Sequence, residues 1–137
     1  MFKSKPLYIY VHETDAAGVV HHSNYLRFFE VGRIEFLRSI GEKYINLQNN
    51  GYGLIPVDIQ IRYLKPLRQD DQYIVTVELI KLKKASFTIK QTIICNDSTY
   101  VNSTIKLACV KEPEFKPIKL PEDTHNKLIN YLSPPFN

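Results

Sequence analysis

The chain has 137 residues and carries Lys+Arg 18 against Asp+Glu 14, a net charge of +4. A hydrophobic fraction of 44% with 12% aromatic residues excludes a disordered tail and suits a single domain, residues 1–137, built on one core. No apolar run reaches transmembrane length, "MFKSKPLYIYVHE" lacks a secretory h-region, and the lysines are too scattered for a nucleic-acid stripe, so a mature cytoplasmic protein is expected.

Leu7, Ile9 and Val11 alternate with Tyr8, Tyr10 and His12, which predicts a first strand. A loop follows, and then "NYLRFFEVGRIEFLRSI", Asn24 to Ile40, repeats apolar residues at helical spacing. Leu26, Phe29, Phe36, Leu37 and Ile40 are its expected apolar face. Ser23 is placed to cap its start and Gly41 its end. Gly32 interrupts its interior, which makes sense if another backbone packs closely there.

Strand patterns follow. Val57, Ile59, Ile61 and Tyr63 alternate with Asp58, Gln60 and Arg62. "PLRQDD" reads as a turn, and "YIVTVELIKL" places Tyr73, Val75, Val77 and Leu79 on one face. Phe87, Ile89, Ile93 and Cys95 share a face, "NDS" marks a hairpin, and Val101, Ile105, Leu107 and Cys109 share the next. Cys95 and Cys109 read as buried free thiols. From about residue 112 the prolines predict a loop-rich tail with a short helix around His125 to Leu132. The order predicts an α+β fold: a single antiparallel sheet of about five strands packed on one long helix, with edges open to side-by-side pairing.

The loop "HETDAAGVVHHSN", His12 to Asn24, concentrates the chemistry. His12, Glu13, Asp15, His21 and His22 are metal-ligand types, but their spacing matches no metal motif. No GxSxG or cysteine–histidine pattern supports a nucleophilic triad. Asp15, followed by "AAG" and preceding a helix N-terminus, is a carboxylate near N–H groups that could hold an oxyanion. An aspartate in such a loop equally serves to organise a turn, and the residues alone favour that reading.

The block "YVHETDAAGVVHHSNYLRFFEVGRIEFLRSIG" resembles the 4-hydroxybenzoyl-CoA thioesterase family, especially its Tol–Pal-associated acyl-CoA thioesterase branch. "VDIQIRYLKPLRQDDQYIVTVEL" is also similar, and the likeness covers about Leu7 to Val110. The resemblance implies the hotdog fold, in homodimers and homotetramers, and hydrolysis of acyl-CoA without metal or cofactor. It implies Asp15 as the catalytic carboxylate and the backbone amide of His22 as the group polarising the thioester carbonyl. Asn24 would organise the loop, Tyr25 and Val20 would wall the acyl site, and Pro56, beside Tyr52, Leu54 and Ile55, would bear on pocket depth. "KLKKASF" resembles the segment meeting the coenzyme A phosphates, which implies Lys83, Lys84 and Ser86, although lysines also populate solvated hairpin turns. Glu30 is a second candidate carboxylate, or else half of a structural or interface ion pair. A dehydratase is disfavoured because "HHSNYL" lacks a glycine–proline pattern. A non-catalytic protein binding acyl-CoA or acyl carrier protein is the alternative from another class.

Overall fold

The computed structural model describes residues 1–134. Strands β1 (Phe2–Lys3) and β2 (Leu7–Tyr8) lead to a 3-10 turn at Val11–Glu13, then to helix α1 (Asn24–Ser39) and a short helix α2 (Tyr44–Asn49). Strands β3 (Tyr52–Tyr63), β4 (Gln72–Leu82), β5 (Ser86–Cys95) and β6 (Ser98–Lys111) follow, then β7 (Lys116–Pro117) and helix α3 (Glu122–Ile129). They form one antiparallel sheet in the order β1-β4-β5-β6-β3, with β2 also on β4 and β7 on β6. A single cluster of buried side chains runs from Ile9 to Leu128.

The strand expected over Leu7 to His12 is cut short to β2, and a further short strand, β1, precedes it. Pro6, which has no N–H to give a ladder, separates β1, paired at Phe2↔Val77, from β2, paired at Leu7↔Tyr73. Beyond Tyr8 the chain turns, because the Glu13 carboxylate accepts from the Tyr10 N–H at 2.8 Å and the Thr14 hydroxyl donates to the Val11 carbonyl at 2.7 Å. β3 begins five residues before the predicted alternation. Pro56 sits within it without disrupting pairing, because β3 is an edge strand and β6 lies on one side only. Helix α3 starts earlier than expected, directly after Pro121 and with Glu122 and Asp123 in its first turn.

Helix α1 lies over β4 and β5. Its buried stripe is Tyr25, Phe28, Phe29, Gly32, Phe36 and Leu37, a regular helical spacing. The expected face is corrected at Leu26, which is 41% exposed. Gly32 does mark the close approach, but to side chains: a Cβ there would lie 2.3 Å from Val75 Cγ1 and 3.2 Å from Gln91 Nε2. Gly41 has φ +87° and closes the helix in a Schellman motif, with Gly41 N–H donating to the Arg38 carbonyl at 3.1 Å and Glu42 N–H to the Leu37 carbonyl at 2.9 Å. Lys127 of α3 donates to the Gly41 carbonyl at 2.9 Å and pairs with the Glu42 carboxylate, pinning the tail to the end of α1.

Coverage extends across β6, whose inner-face residues Val101, Ile105 and Leu107 are buried, and fails along β3. The inner face of β3 pairs in register with buried residues of β6, at Ile59↔Ile105, Ile61↔Ser103 and Tyr63↔Val101. Yet Val57 is 56%, Ile59 40% and Tyr63 47% exposed. An apolar sheet edge therefore stands uncovered in one copy of the chain. Gly32→Ala should overpack the contact with Val75 by about 1–3 kcal/mol, beyond the helix propensity alanine adds, and thermal denaturation should show a lower Tm.

Candidate active site

The loop before α1 is a tight hairpin. Thr14 bridges Val20, the Asp15 N–H donates to the Val19 carbonyl at 2.8 Å, and the Gly18 N–H returns to the Asp15 carbonyl at 3.0 Å. Gly18 takes φ +78°, which ends the turn at little steric cost only for glycine. The Asp15 carboxylate is exposed, and its Oδ1 accepts from the Ala17 N–H at 2.8 Å. This is the turn-organising role, but it engages one oxygen; among the described residues no hydrogen bond reaches Oδ2.

The hairpin is fastened at its base. The Glu13 carbonyl accepts from the Asn24 side chain at 2.8 Å and from the His21 N–H at 3.2 Å. The buried Val20 donates its N–H to the Leu67 carbonyl at 2.8 Å, and the Leu67 N–H donates to the Tyr25 hydroxyl at 3.1 Å. Leu67 is fully buried, so both of its backbone groups tie the turn before β4 to the helix entrance. Tyr25 is itself 3% exposed, and burial raises its phenol pKa. Its ring packs at 5.4 Å on Tyr63, so it supports the uncovered face of β3 from beneath.

The helix entrance is left uncapped by side chains. Ser23 occupies the cap position but has helical backbone angles, and its hydroxyl bonds His21 Nδ1 at 2.7 Å instead. That ring nitrogen also accepts from the Ser23 N–H at 3.2 Å. The His21 and His22 rings stack at 4.3 Å. The His22 N–H meets no acceptor among the described residues and lies on the exposed approach to α1. A free donor at the positive end of a sixteen-residue helix can stabilise a developing oxyanion, and an exposed carboxylate stands in the adjoining hairpin. Among the described residues no group of three or more ligand types converges to hold a metal ion.

The structure brings Asp15, Val20, His22, Asn24 and Tyr25 together but not the basic segment. Lys83 and Lys84 are exposed in the turn between β4 and β5, closed by the Lys83 N–H donating to the Ser86 carbonyl at 2.8 Å. Lys83 and Ser86 line a small cavity with Lys81, Thr88 and Lys106, which sequence spacing missed because they come from three strands. Their convergence is set by register, through Lys81↔Thr88 and Thr88↔Lys106. This cluster sits past the last residue of β4, whereas Asp15 sits by its first. Eleven residues of strand separate the two, about 35 Å along the strand. Pro56 is exposed midway along β3.

The architecture is α+β: one long helix on a single antiparallel sheet, with a carboxylate-bearing hairpin at the helix entrance. The chain matches the thioesterase-like superfamily over residues 9–128 and belongs to it. It is 35% identical over 112 residues to a putative esterase of Aquifex aeolicus, covering 82% of this chain and 86% of that one. It is 31% identical over 121 residues to the acyl-CoA thioesterase YbgC of Haemophilus influenzae, covering 88% and 89%. The fold superposes on a DHNA-CoA thioesterase of Staphylococcus aureus with TM-score 0.90 at 26% identity, covering 95% of this chain and 91% of that one. The chain is thus a thioester hydrolase with the hotdog fold.

Tyr25→Phe should leave the buried Leu67 N–H without its acceptor and cost about 1–3 kcal/mol in denaturant unfolding. Amide exchange at Val20 and Leu67 should quicken together if the clamp acts as one unit.

Proposed function

We propose that the protein hydrolyses acyl-coenzyme A to the free acid and coenzyme A, with Asp15 as general base or nucleophile and the His22 N–H as oxyanion donor. The observation that carries this reading is the His22 N–H at the entrance of α1, without an acceptor among the described residues, on the hairpin that also bears the half-engaged Asp15 carboxylate. The thioester carbonyl oxygen docks on the His22 amide. In the general-base route Asp15 takes a proton from water, whose oxygen adds to the carbonyl carbon. The tetrahedral oxyanion is held by the N–H, the C–S bond breaks, and the departing thiolate recovers the proton from Asp15. In the nucleophilic route Asp15 itself adds, expels the thiolate and is freed when water cleaves the anhydride. Both routes use the same two groups, and a thiolate leaves readily without a strong acid.

The acyl chain has an apolar path. Tyr63 reaches the His22 carbonyl with its hydroxyl at 3.5 Å, and Ile61, Ile59 and Val57 continue from it along the uncovered inner face of β3. That face is closed when two copies pair edge to edge along β3. Antiparallel pairing also answers the separation of the two halves of the site. A two-fold axis exchanges the ends of the strands and sets the Lys83–Ser86 cluster of one copy toward the Asp15 hairpin of the other. The working unit is therefore a homodimer, with the thioester lying across the interface.

Asp15→Asn should keep the fold and lower kcat about 100- to 10,000-fold with acyl-CoA substrates; near-normal thiol release by the folded variant would sink the assignment. Joint replacement of Lys83 and Lys84 by alanine should raise KM for CoA esters, more so at low salt. An unchanged KM at both salt levels removes the two lysines from the site.

A further inference from the structure

Helix α1 carries a second line of residues beside its core stripe: Leu26, Glu30, Arg33 and Leu37, spaced by four, three and four. Leu26 is 41% exposed, while Leu37 is buried. Between them Glu30 is exposed and Arg33 half-buried. The neighbours of Arg33 place this flank. They are Glu30 and Tyr44, and the Tyr44 hydroxyl accepts from the Leu54 N–H of β3 at 3.0 Å. The line thus looks toward the β3 side, where the apolar inner face is uncovered.

The other charges of α1 have partners. Arg38 pairs with Glu35, and Arg27 donates to the Asn24 side chain at 3.4 Å. Among the described residues Glu30 and Arg33 make neither an ion pair nor a side-chain hydrogen bond. Burial lowers the pKa of Arg33 against the opposing pull of Glu30. A guanidinium that has given up water without gaining an acceptor is an incomplete arrangement.

We propose that its completion is a second copy of this chain, with Arg33 of each protomer paired to the partner's Glu30 across a two-fold axis. Position favours this. The midpoint of α1, Asn24–Ser39, falls between Val31 and Gly32, and Glu30 and Arg33 straddle it evenly. A two-fold axis at that midpoint, with the helices antiparallel, exchanges the two positions. A patch meeting its own reversed copy must be self-complementary, and one acid and one base at exchanged positions make it so. The midpoint of β3, Tyr52–Tyr63, falls between Val57 and Asp58, where the register shifts and the apolar exposure is greatest. The inference rests on the reading that copies pair along β3, and adds the charged pair that selects which copies do so.

The test is a charge exchange. Arg33→Glu gives a flank with two acids, and Glu30→Arg a flank with two bases. Each variant alone should dimerise at least about 100-fold more weakly than the unsubstituted chain by sedimentation equilibrium. Mixed one to one, they should form a heterodimer visible by native mass spectrometry. The doubly reversed chain, Glu30→Arg with Arg33→Glu, should dimerise with itself yet be excluded from dimers with the unsubstituted chain. That last measurement stands even where a single variant fails to fold, because a role within one helix would not produce exclusion. Unchanged dimerisation of both single variants, or free mixing of the doubly reversed chain with the unsubstituted one, overturns the pairing. A monomeric unsubstituted chain overturns the two-copy reading itself, and thioester hydrolysis lost from an intact dimer bears on Asp15 chemistry instead.

Discussion

The contact at Gly32 sets the rest of the molecule. Val75 occupies the space a side chain would need there, and Gln91, also fully buried, donates from Nε2 to the Phe29 carbonyl at 2.9 Å one turn earlier. These two contacts hold α1 down on β4 and β5 at a fixed height and rotation. They leave Gln91 Oε1 buried without a partner, a cost accepted inside an otherwise apolar core. With the helix seated over β4 and β5, cover reaches the buried inner face of β6 but runs out along β3. The open apolar edge is thus a consequence of where the helix sits, not of an unusual strand.

The helix entrance depends on the same seating. Tyr25 lies two turns before Gly32 on the same buried stripe, so fixing Gly32 fixes the Tyr25 hydroxyl and, through it, Leu67 and Val20. The Asp15 hairpin hangs from this chain of bonds and from the Asn24–Glu13 tie. A rigid base and an exposed tip suit the proposed hydrolytic role: the Asp15 carboxylate and the His22 N–H are carried on buried groups while both stay exposed. The missing side-chain cap belongs to this logic. A Ser23 hydroxyl bonded into the first turn would compete for the donors that an oxyanion needs; bonded to His21 it leaves them available.

Much of this was legible in the sequence because the dominant forces there are local and periodic. Alternation located β4, β5 and β6, the Asn96–Asp97 turn with both residues at positive φ was announced by "NDS", Gly41 ends the helix as expected, and Gly32 marks a close approach, though of side chains rather than backbone. Where reading failed, the deciding contact was distant in sequence. Leu26 fits the helical period as well as Tyr25 does, and only the placement of the sheet chooses between them. Ser23 has the right chemistry for a cap but found a closer partner in His21. Helix α2 is six residues long and too short to show a period. Lys81 and Lys106 join Lys83 only through strand register. The sequence also did not announce that the Tyr25 hydroxyl, buried, accepts from the Leu67 N–H and so ties the turn before β4 to the helix entrance.

The Asp15 hairpin and the Lys83–Ser86 turn lie at opposite ends of β4, and this separation is what a two-fold arrangement would resolve. On the proposed reading, a single chain with Asp15 at one end of a strand and Lys83 and Lys84 at the other does not reach one coenzyme A with both. In the proposed dimer, antiparallel pairing would give two identical sites, each drawing its carboxylate from one copy and its basic cluster from the other. The apolar face of β3 then has one reason to remain open in the protomer. In the proposed dimer it is the shared wall between the copies, reached from the His22 amide past Tyr63, whose hydroxyl meets the His22 carbonyl. Such a wall excludes water from the thioester only while the copies are together, so assembly and turnover are properties of the same surface.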